Sequence, residues 1–405
     1  MTTDHRGAQP PSTPDGPPVP AVAANPLARL FDGFDDVVAE LGRRADAGSP
    51  HPDDAWAEAA AHHPRDLALT VTEVIEETPT AATLRLRATG GGPLPSFAAG
   101  QYLSLTVPVG ATVTSRAFSI SSSPAERDYY DLTIRRLRGG LVSNHLLDTV
   151  RPGDGFTGDG PIGTFCHDPL FHGDDLVFLA GGSGVAPAMS MLRDVLDHGL
   201  NRRMTLVYGS RRADDVIFRA ELETIARDRP DILTLHQVLS APDPGWDGAV
   251  GPLDAALIAE LAGPLNDRMV YLCGPPGRYA YLIEQLRSLG QPRRRIRLEA
   301  NSVALPPPAD PRWPAGLDPA GTVTVAVDGR RFDVPRGRPL LDSLEENGVR
   351  PRASCRSGEC ALCRVRVCSG RVFHAEEARL RRSDETFGHA HACVAYPLED
   401  LEIEL

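Results

Sequence analysis

The sequence predicts a multidomain α+β protein: an antiparallel β-barrel, then a doubly wound α/β domain, then a small third domain built around a cysteine loop. Three observations predict it. Short stretches of alternating hydrophobicity, among them "LALTVTEVIEE", "TAATLRLRA", "QYLSLTVPV", "RAFSISSS" and "DYYDLTIRRL", run from residue 67 with Gly and Pro turns between them. Beyond Asp174 the period changes, and "DLVFLAGGSGVAPAMSMLRDVLDHG", "RMTLVYGSRRADDVIFRAELETIARD" and "RMVYLCGPPGRYAYLIEQLRSLG" each read as an apolar strand followed by a helix. Near the C-terminal end, Cys355, Cys360 and Cys363 stand in C-x4-C-x2-C spacing, with Cys393 further on.

Composition sets the bounds. A chain of 405 residues with 41% hydrophobic and 24% charged residues has material for two to four ordinary globular cores. A net charge of −12 argues against nucleic acid or an anionic membrane as the main partner. Every basic residue is Arg, so a single Arg carries less meaning than usual. The N-terminus lacks a signal-peptide pattern, and no apolar run of about 18 residues is present, so a cytoplasmic protein is expected. Seven cysteines, four of them clustered, fit reduced thiols held for a metal better than a disulfide framework.

The elements follow in order. Residues 1–66 read as an N-terminal extension, Pro-rich and expected to be disordered up to about residue 25. It then carries an amphipathic helix with Leu27, Leu30, Phe31, Phe34, Val37, Val38 and Leu41 on one face, expected to pack on the body of the protein. The barrel occupies 67–167 and the α/β domain 168–305. "HDPLFHGDD" (167–175) reads as a solvated connection rather than a metal site. A Pro-rich linker, 306–320, leads to 321–405, where two strands, "GTVTVAVDG" and "RRFDVPRG", and a helix, "PLLDSLEENG", precede the cysteines.

Two irons bridged by sulfide need four terminal thiolates, two on each iron, and Cys355, Cys360, Cys363 and Cys393 supply them in plant-type spacing. A four-cysteine zinc site would ordinarily show a second C-x2-C knuckle. Gly358 permits the backbone angles of a tight loop. With "PLLDSLEENGV" before the loop and "HACVAYP" around the fourth cysteine, residues 321–405 resemble the plant-type 2Fe-2S ferredoxins. The resemblance implies a β-grasp-like 2Fe-2S ferredoxin domain. Ala361 stands where Gly, Ser or Thr is common, and Cys368 is expected to be a small core residue.

A ferredoxin passes single electrons, whereas a nicotinamide delivers a hydride, so a flavin is needed between them. The barrel text supplies "SRAFSIS", "IRRLRGGLVSNHLLD" and "GDGPIGTF", the middle one a Gly-Gly turn opening a helix whose free N–H groups suit a phosphate. Together, with "LAGGSGVAPAMSML", "VYGSR" and "YLCGPPG" after them, these resemble the ferredoxin-NADP reductase superfamily. The resemblance implies a flavin site at Arg116, Ala117, Phe118 and Ser119, with Arg116 on the phosphates, Phe118 beside the ring and Ser119 near its N5. It implies phosphate contacts at Gly140, Leu141, Val142, Ser143 and Asn144, and FAD rather than the FMN of the phthalate-dioxygenase-reductase type. For the nucleotide it implies Gly181, Gly182 and Gly184 at the pyrophosphate, Ser210 and Arg211 at the ribose, favouring NADPH over NADH, and Cys273, Gly274 and Pro275 near the nicotinamide. Ser119, Cys273 and Glu299 form the expected catalytic set. Asn301 stands where many relatives have Phe, which leaves the flavin face more open or covered by another group such as Trp313.

The expected function is that of an NAD(P)H-dependent oxidoreductase. Electrons pass from NADPH or NADH to FAD, to the 2Fe-2S cluster and to a protein acceptor: an oxygenase, hydroxylase, desaturase or hybrid-cluster protein. Tethering the ferredoxin to the flavin domain removes a diffusional encounter. Two other readings stand beside it: a redox-sensing or scaffold protein with poor turnover, and a reductase acting on a small molecule at the flavin.

Overall fold

The computed structural model describes residues 64–265, 267–299, 310–374 and 380–405. The expected N-terminal helix, Asn301 and the first residues of the Pro-rich linker lie outside them. Six antiparallel strands make the first layer: β1 (Leu67–Thr78), β2 (Ala81–Ala88), β3 (Tyr102–Val109), β4 (Thr112–Ser119), β5 (Tyr130–Arg135) and β6 (Gly155–Ile162), in the order β4-β3-β6-β1-β2-β5. A bridge between Ile120 and Leu132 joins the two ends and closes the barrel. Alternate residues such as Leu69, Val71, Leu84, Leu86, Leu103 and Leu105 turn inward to form its core, as the period of two requires. Helix α1 (Leu141–Thr149) plugs one end with Val142 and Leu146.

The second layer is a parallel sheet of β7 (Asp175–Gly181), β8 (Arg203–Ser210), β9 (Leu233–Leu239), β10 (Ala249–Val250), β11 (Met269–Cys273) and β12 (Ile296–Glu299), ordered β10-β9-β8-β7-β11-β12. Both faces are covered, so the strands read as continuous apolar runs; β11 is buried at every position. The chain builds outward from β7 to β10, then returns to lay β11 on the other side of β7. That reversal leaves a crevice beyond the carboxyl ends of β7 and β11, where Gly181 and Cys273 end their strands.

The third layer holds β13 (Thr322–Val327), β14 (Arg330–Pro335), β15 (Arg364–Ser369), β17 (His389–His391) and β19 (Leu401–Glu404) in the order β14-β13-β19-β15-β17. Helix α2 (Leu340–Glu346) buries Leu340, Leu341 and Leu344 in the core that this sheet shares with Cys363 and Cys393. A two-stranded ladder, β16 (Val372–His374) with β18 (Ala395–Pro397), stands beside it.

Three expectations are corrected. Cys368 is exposed rather than buried: on β15 the inward positions are Val365 and Val367, so Arg364, Arg366 and Cys368 fall on the outer face. Trp313 packs edge-to-face on Phe373 with ring centroids 5.1 Å apart, in a small cluster with Tyr396 and Leu398, and does not line the flavin cleft. In "HDPLFHGDD", His172 is buried with its Nδ1 2.6 Å from Tyr271 Oη, a packed polar contact rather than solvated charge. Among the described residues no helix is long and apolar enough to cross a membrane.

Candidate electron-transfer site

A cleft of about 1020 Å³ runs from the barrel across the carboxyl ends of the parallel strands. Its lining includes Arg116, Ala117, Phe118, Ser119, Gly140, Leu141, Val142 and Ser143 on the barrel side. On the other side stand Gly181, Gly182, Gly184, Ser210, Arg211, Cys273, Gly274 and Pro275. Of the residues implied by resemblance, Asn144 and Glu299 alone do not line it. Asn144 uses its side chain to hold the preceding turn, accepting from Leu137 N at 3.1 Å and donating to Leu137 O at 2.9 Å. Glu299 is buried behind the wall, reached through two other side chains.

Those two are Ser119 and Cys273. Ser119 Oγ, at the end of β4, donates to Glu299 Oε2 at 2.9 Å, and Cys273 Sγ, at the end of β11, lies 3.1 Å from the same oxygen. Glu299 Oε1 is buried with no partner among the described residues. Burial pushes the Glu299 carboxyl up to about 7, against a smaller opposing effect of the Cys273 and Ser119 hydrogen bonds. Burial, reinforced by the neighbouring carboxyl, pushes the Cys273 thiol far above the usual thiol range, so it is a neutral group here. Tyr279 Oη fixes the turn between them, bonded to Glu299 O at 2.6 Å and to both backbone atoms of Gly274.

The glycines act differently from a simple phosphate cradle. A Cβ on Gly184 would sit 2.1 Å from Cys273 O, so its bareness is what lets the turn after β7 press against the end of β11. A Cβ on Gly182 would meet the Arg135 guanidinium at 2.5 Å. Arg135 was not singled out in the sequence; it pairs with buried Asp215, which also accepts from Thr78 and Thr80, tying barrel to parallel sheet.

The residues present fit a flavin nucleotide. Arg116 is half-buried, its Nη1 bonded only to Thr114 Oγ1 and Ser115 O, each at 2.8 Å, and no carboxylate pairs with it among the described residues. Burial, then the nearby Arg356 charge, draws it down to about 10, against a smaller opposing effect of the Asp342 and Glu345 carboxylates. Helix α1 begins at Gly140 with no side-chain cap, so its first N–H groups are free to meet a phosphate. Arg211 lies exposed at the cleft rim without an ion pair among the described residues, whereas Arg212 is committed to Asp214 and Asp243.

The four thiols divide two and two. Cys355 and Cys360 are in contact with each other, as are Cys363 and Cys393, and Cys355, Cys363 and Cys393 are buried. Two pairs suit two irons rather than one zinc. Backbone amides of Ser357 and Cys360 point at Cys355 Sγ from 3.4 and 3.3 Å. Contact with Cys360, then these amides, draws the Cys355 thiol below the usual thiol range against the cost of its burial. The loop makes three left-handed turns, at Arg356 (φ 54), Gly358 (φ 82) and Ala361 (φ 59). A buried clamp not foreseen from sequence braces it: His391 Nδ1 lies 2.7 Å from Gly358 O, and its Nε2 2.9 Å from Asp384 Oδ2.

A barrel with a phosphate-binding helix, a nucleotide crevice and a thiolate loop together define a flavin and iron–sulfur reductase of pyridine nucleotides. Comparison with known proteins agrees part by part. The oxidoreductase FAD-binding domain model matches residues 68–167, the oxidoreductase NAD-binding domain model 178–281, and the 2Fe-2S iron-sulfur cluster binding domain model 323–398. The 3-ketosteroid-9-alpha-monooxygenase ferredoxin reductase component of Mycolicibacterium smegmatis is 32% identical over 82% of this chain and 95% of its own. The glycine betaine monooxygenase reductase subunit of Pseudomonas aeruginosa is 29% identical over 76% and 87%. The solved phthalate dioxygenase reductase covers 84% of this chain and 98% of its own, with a TM-score of 0.62 and 26% identity. The chain belongs to the ferredoxin-NADP reductase superfamily, in the branch that carries a C-terminal plant-type 2Fe-2S ferredoxin domain. It is an NAD(P)H oxidoreductase that uses FAD and a 2Fe-2S cluster.

Proposed function

We propose that this chain is the cytoplasmic reductase component of an oxygenase system, oxidising NADPH and delivering single electrons to an oxygenase through its ferredoxin domain. The observation that carries this reading is the strand β4. Its end places Ser119 on the Glu299–Cys273 node, while its middle, at Thr114 and Ser115, touches the cluster loop. One strand thus spans the distance between hydride entry and electron exit.

Bound FAD supplies the chemistry of accepting a hydride and releasing its electrons one at a time. The chain's own residues do the rest. Arg116 and the first N–H groups of α1 hold the flavin phosphates, and Phe118 borders its ring. Gly181, Gly182, Gly184, Gly274 and Pro275 shape the crevice for the nicotinamide half of the nucleotide. Cys273 covers its ring as a neutral group, and Ser119, backed by Glu299, holds or moves a proton at its Oγ. Ser210 and Arg211 meet the 2′-phosphate that distinguishes NADPH from NADH. Cys355 and Cys360 hold one iron, Cys363 and Cys393 the other. The oxygenase as acceptor is supported by the relatives, which are reductase components of monooxygenases in two separate systems.

Anaerobic titration with NADPH and with NADH, followed by visible absorption and low-temperature electron paramagnetic resonance, tests the reading. Flavin bleaching followed by the signal of a reduced 2Fe-2S cluster is expected, at lower NADPH than NADH. Flavin bleaching that never reaches the cluster would overturn it in favour of a reductase acting at the flavin alone.

A further inference from the structure

The contact between cluster loop and barrel converges on Arg356. This residue directly follows the ligand Cys355, adopts a left-handed backbone and is 9% exposed. Within its own domain its Nη1 donates to Asp342 Oδ1 at 2.7 Å and its Nη2 to Glu345 Oε1. Across the boundary the same guanidinium donates through Nη2 to Thr114 Oγ1 at 2.6 Å and through Nε to Ser115 O. Thr114 returns its hydroxyl hydrogen to Glu345 Oε2 at 2.8 Å. Two flanking contacts extend the seam: Ser115 Oγ to Ala353 O at 3.3 Å, and Ser354 Oγ to Tyr102 Oη at 3.4 Å.

The acceptors that Arg356 takes on β4, Thr114 Oγ1 and Ser115 O, are the two that Arg116 also uses. Two guanidiniums from different domains therefore share one hydroxyl and one carbonyl, an arrangement that like charges would oppose. Asp342 and Glu345 on α2 supply the compensating charge. A side chain placed only to fill space would not need four directed donations, nor a backbone angle that an L-residue adopts at a cost. Arg356 is one peptide bond from a cluster ligand and one shared hydroxyl from the cation assigned to the flavin phosphates.

We propose that Arg356 is the positioning residue for electron transfer from flavin to cluster, locking the cluster loop onto β4 so that the two centres keep one fixed separation. The proposal rests on the reading of this chain as a flavin-to-cluster reductase. In the step it governs, one electron leaves the reduced flavin and one ferric iron of the cluster becomes ferrous. The proton that the flavin gives up goes to solvent, and Arg356 itself neither gains nor loses one.

The test uses the full-length protein loaded with both cofactors, as wild type, Arg356→Lys, Arg356→Gln and Glu345→Gln. Anaerobic stopped-flow mixing with NADPH separates flavin reduction from cluster reduction, and dithionite followed by electron paramagnetic resonance counts assembled clusters. Cluster content and the flavin phase should be unchanged, while the cluster phase slows on the order of ten- to a hundredfold in Arg356→Gln. Arg356→Lys should fall between, and Glu345→Gln should slow the same phase. Should Arg356→Gln lose its cluster, the other two variants carry the test. An unchanged cluster phase in assembled Arg356→Lys and Glu345→Gln overturns the proposal. Loss of the cluster in all three does so as well, because the contacts would then build the loop rather than position it. Failure of wild-type NADPH to reduce an assembled cluster would instead sink the functional reading, which separates the two outcomes.

Discussion

Ser119 Oγ and Cys273 Sγ, 154 residues apart in the sequence and on different sheets, meet at a single oxygen of Glu299, at 2.9 and 3.1 Å. The carboxyl they share is buried, and burial places its titration at about 7. Its protonation state decides where the Ser119 hydrogen points. As a carboxylate, Glu299 takes that hydrogen. As the neutral acid it can donate to Ser119 Oγ and release the hydroxyl hydrogen toward the cleft, where it would polarise an acceptor of hydride.

The rate of flavin reduction by NADPH should therefore fall several-fold as pH rises through about 7. Glu299→Gln, whose amide can donate to Ser119 at any pH, should remove that step and keep the faster rate under alkaline conditions. Stopped-flow absorbance across the neutral range checks this. A pH step of the same size in Glu299→Gln would show that another group is responsible.

The same carboxyl bears on stability. A Glu in the unfolded chain titrates near 4.5, and in the folded protein at about 7, so the folded state holds the proton more tightly. The stability tied to that proton is complete below about 4.5 and is lost as pH rises through about 7. At pH well above 7 the loss is on the order of 3 kcal/mol at most. Glu299→Gln should raise Tm relative to wild type under alkaline conditions and do so much less near pH 5. An equal gain at both would argue against a titrating Glu299.

Much of this was legible in the sequence because it depends on local text. The period-two barrel strands, the glycine turn after an apolar strand and the cysteine spacing are set by residues close along the chain, and the three domains they predict are present in that order. The side-chain roles that sequence could not give are those made by residues far apart. Arg356 is one Arg in a chain whose basic residues are all Arg, and its contacts with Thr114 and Ser115, more than 200 positions earlier, exist only in the fold. Arg135 and Asp215, or His391 and Gly358, are likewise partners only in space. Cys368 is set by the alternation of its own strand, which puts it on the outer face with Arg364 and Arg366, whereas the small-core expectation rested on the general tendency of cysteine to be buried.

Ala361 sits in the cluster loop at φ 59, a conformation that Cβ penalises by about 1–2 kcal/mol. Glycine would relieve that strain, partly offset by the greater freedom of glycine in the unfolded chain, about 0.4–1 kcal/mol. Ala361→Gly should accordingly stabilise the holo domain by a few tenths to about 1 kcal/mol. Loss of the visible cluster absorption during denaturant titration is the measurement. A shift of the midpoint to lower denaturant would mean that the Ala361 methyl makes packing contacts worth more than the backbone strain.

Arg211 and Arg212 follow the end of β8 side by side, yet only one has its charge unspent. Arg212 lies between Asp214 at 3.3 Å and Asp243 at 3.1 Å, and an occupied guanidinium gains little from a further anion. Arg211 lines the cleft rim and stands next to Ser210, whose buried side chain lines the same cleft. A 2′-phosphate would answer both, taking a charge-assisted hydrogen bond from the first and an ordinary one from the second, whereas a 2′-hydroxyl could satisfy only the serine. Arg211→Ala should raise the KM for NADPH on the order of tenfold, as expected for loss of one charged hydrogen bond of about 1.5–3 kcal/mol, with kcat nearly unchanged. The KM for NADH should barely move, while Arg212→Ala should leave both alone. Steady-state ferricyanide reduction, which reads the flavin and not the cluster, isolates this step. Equal losses for both nucleotides in Arg211→Ala would place Arg211 at the pyrophosphate, which they share, and would remove the ground for preferring NADPH.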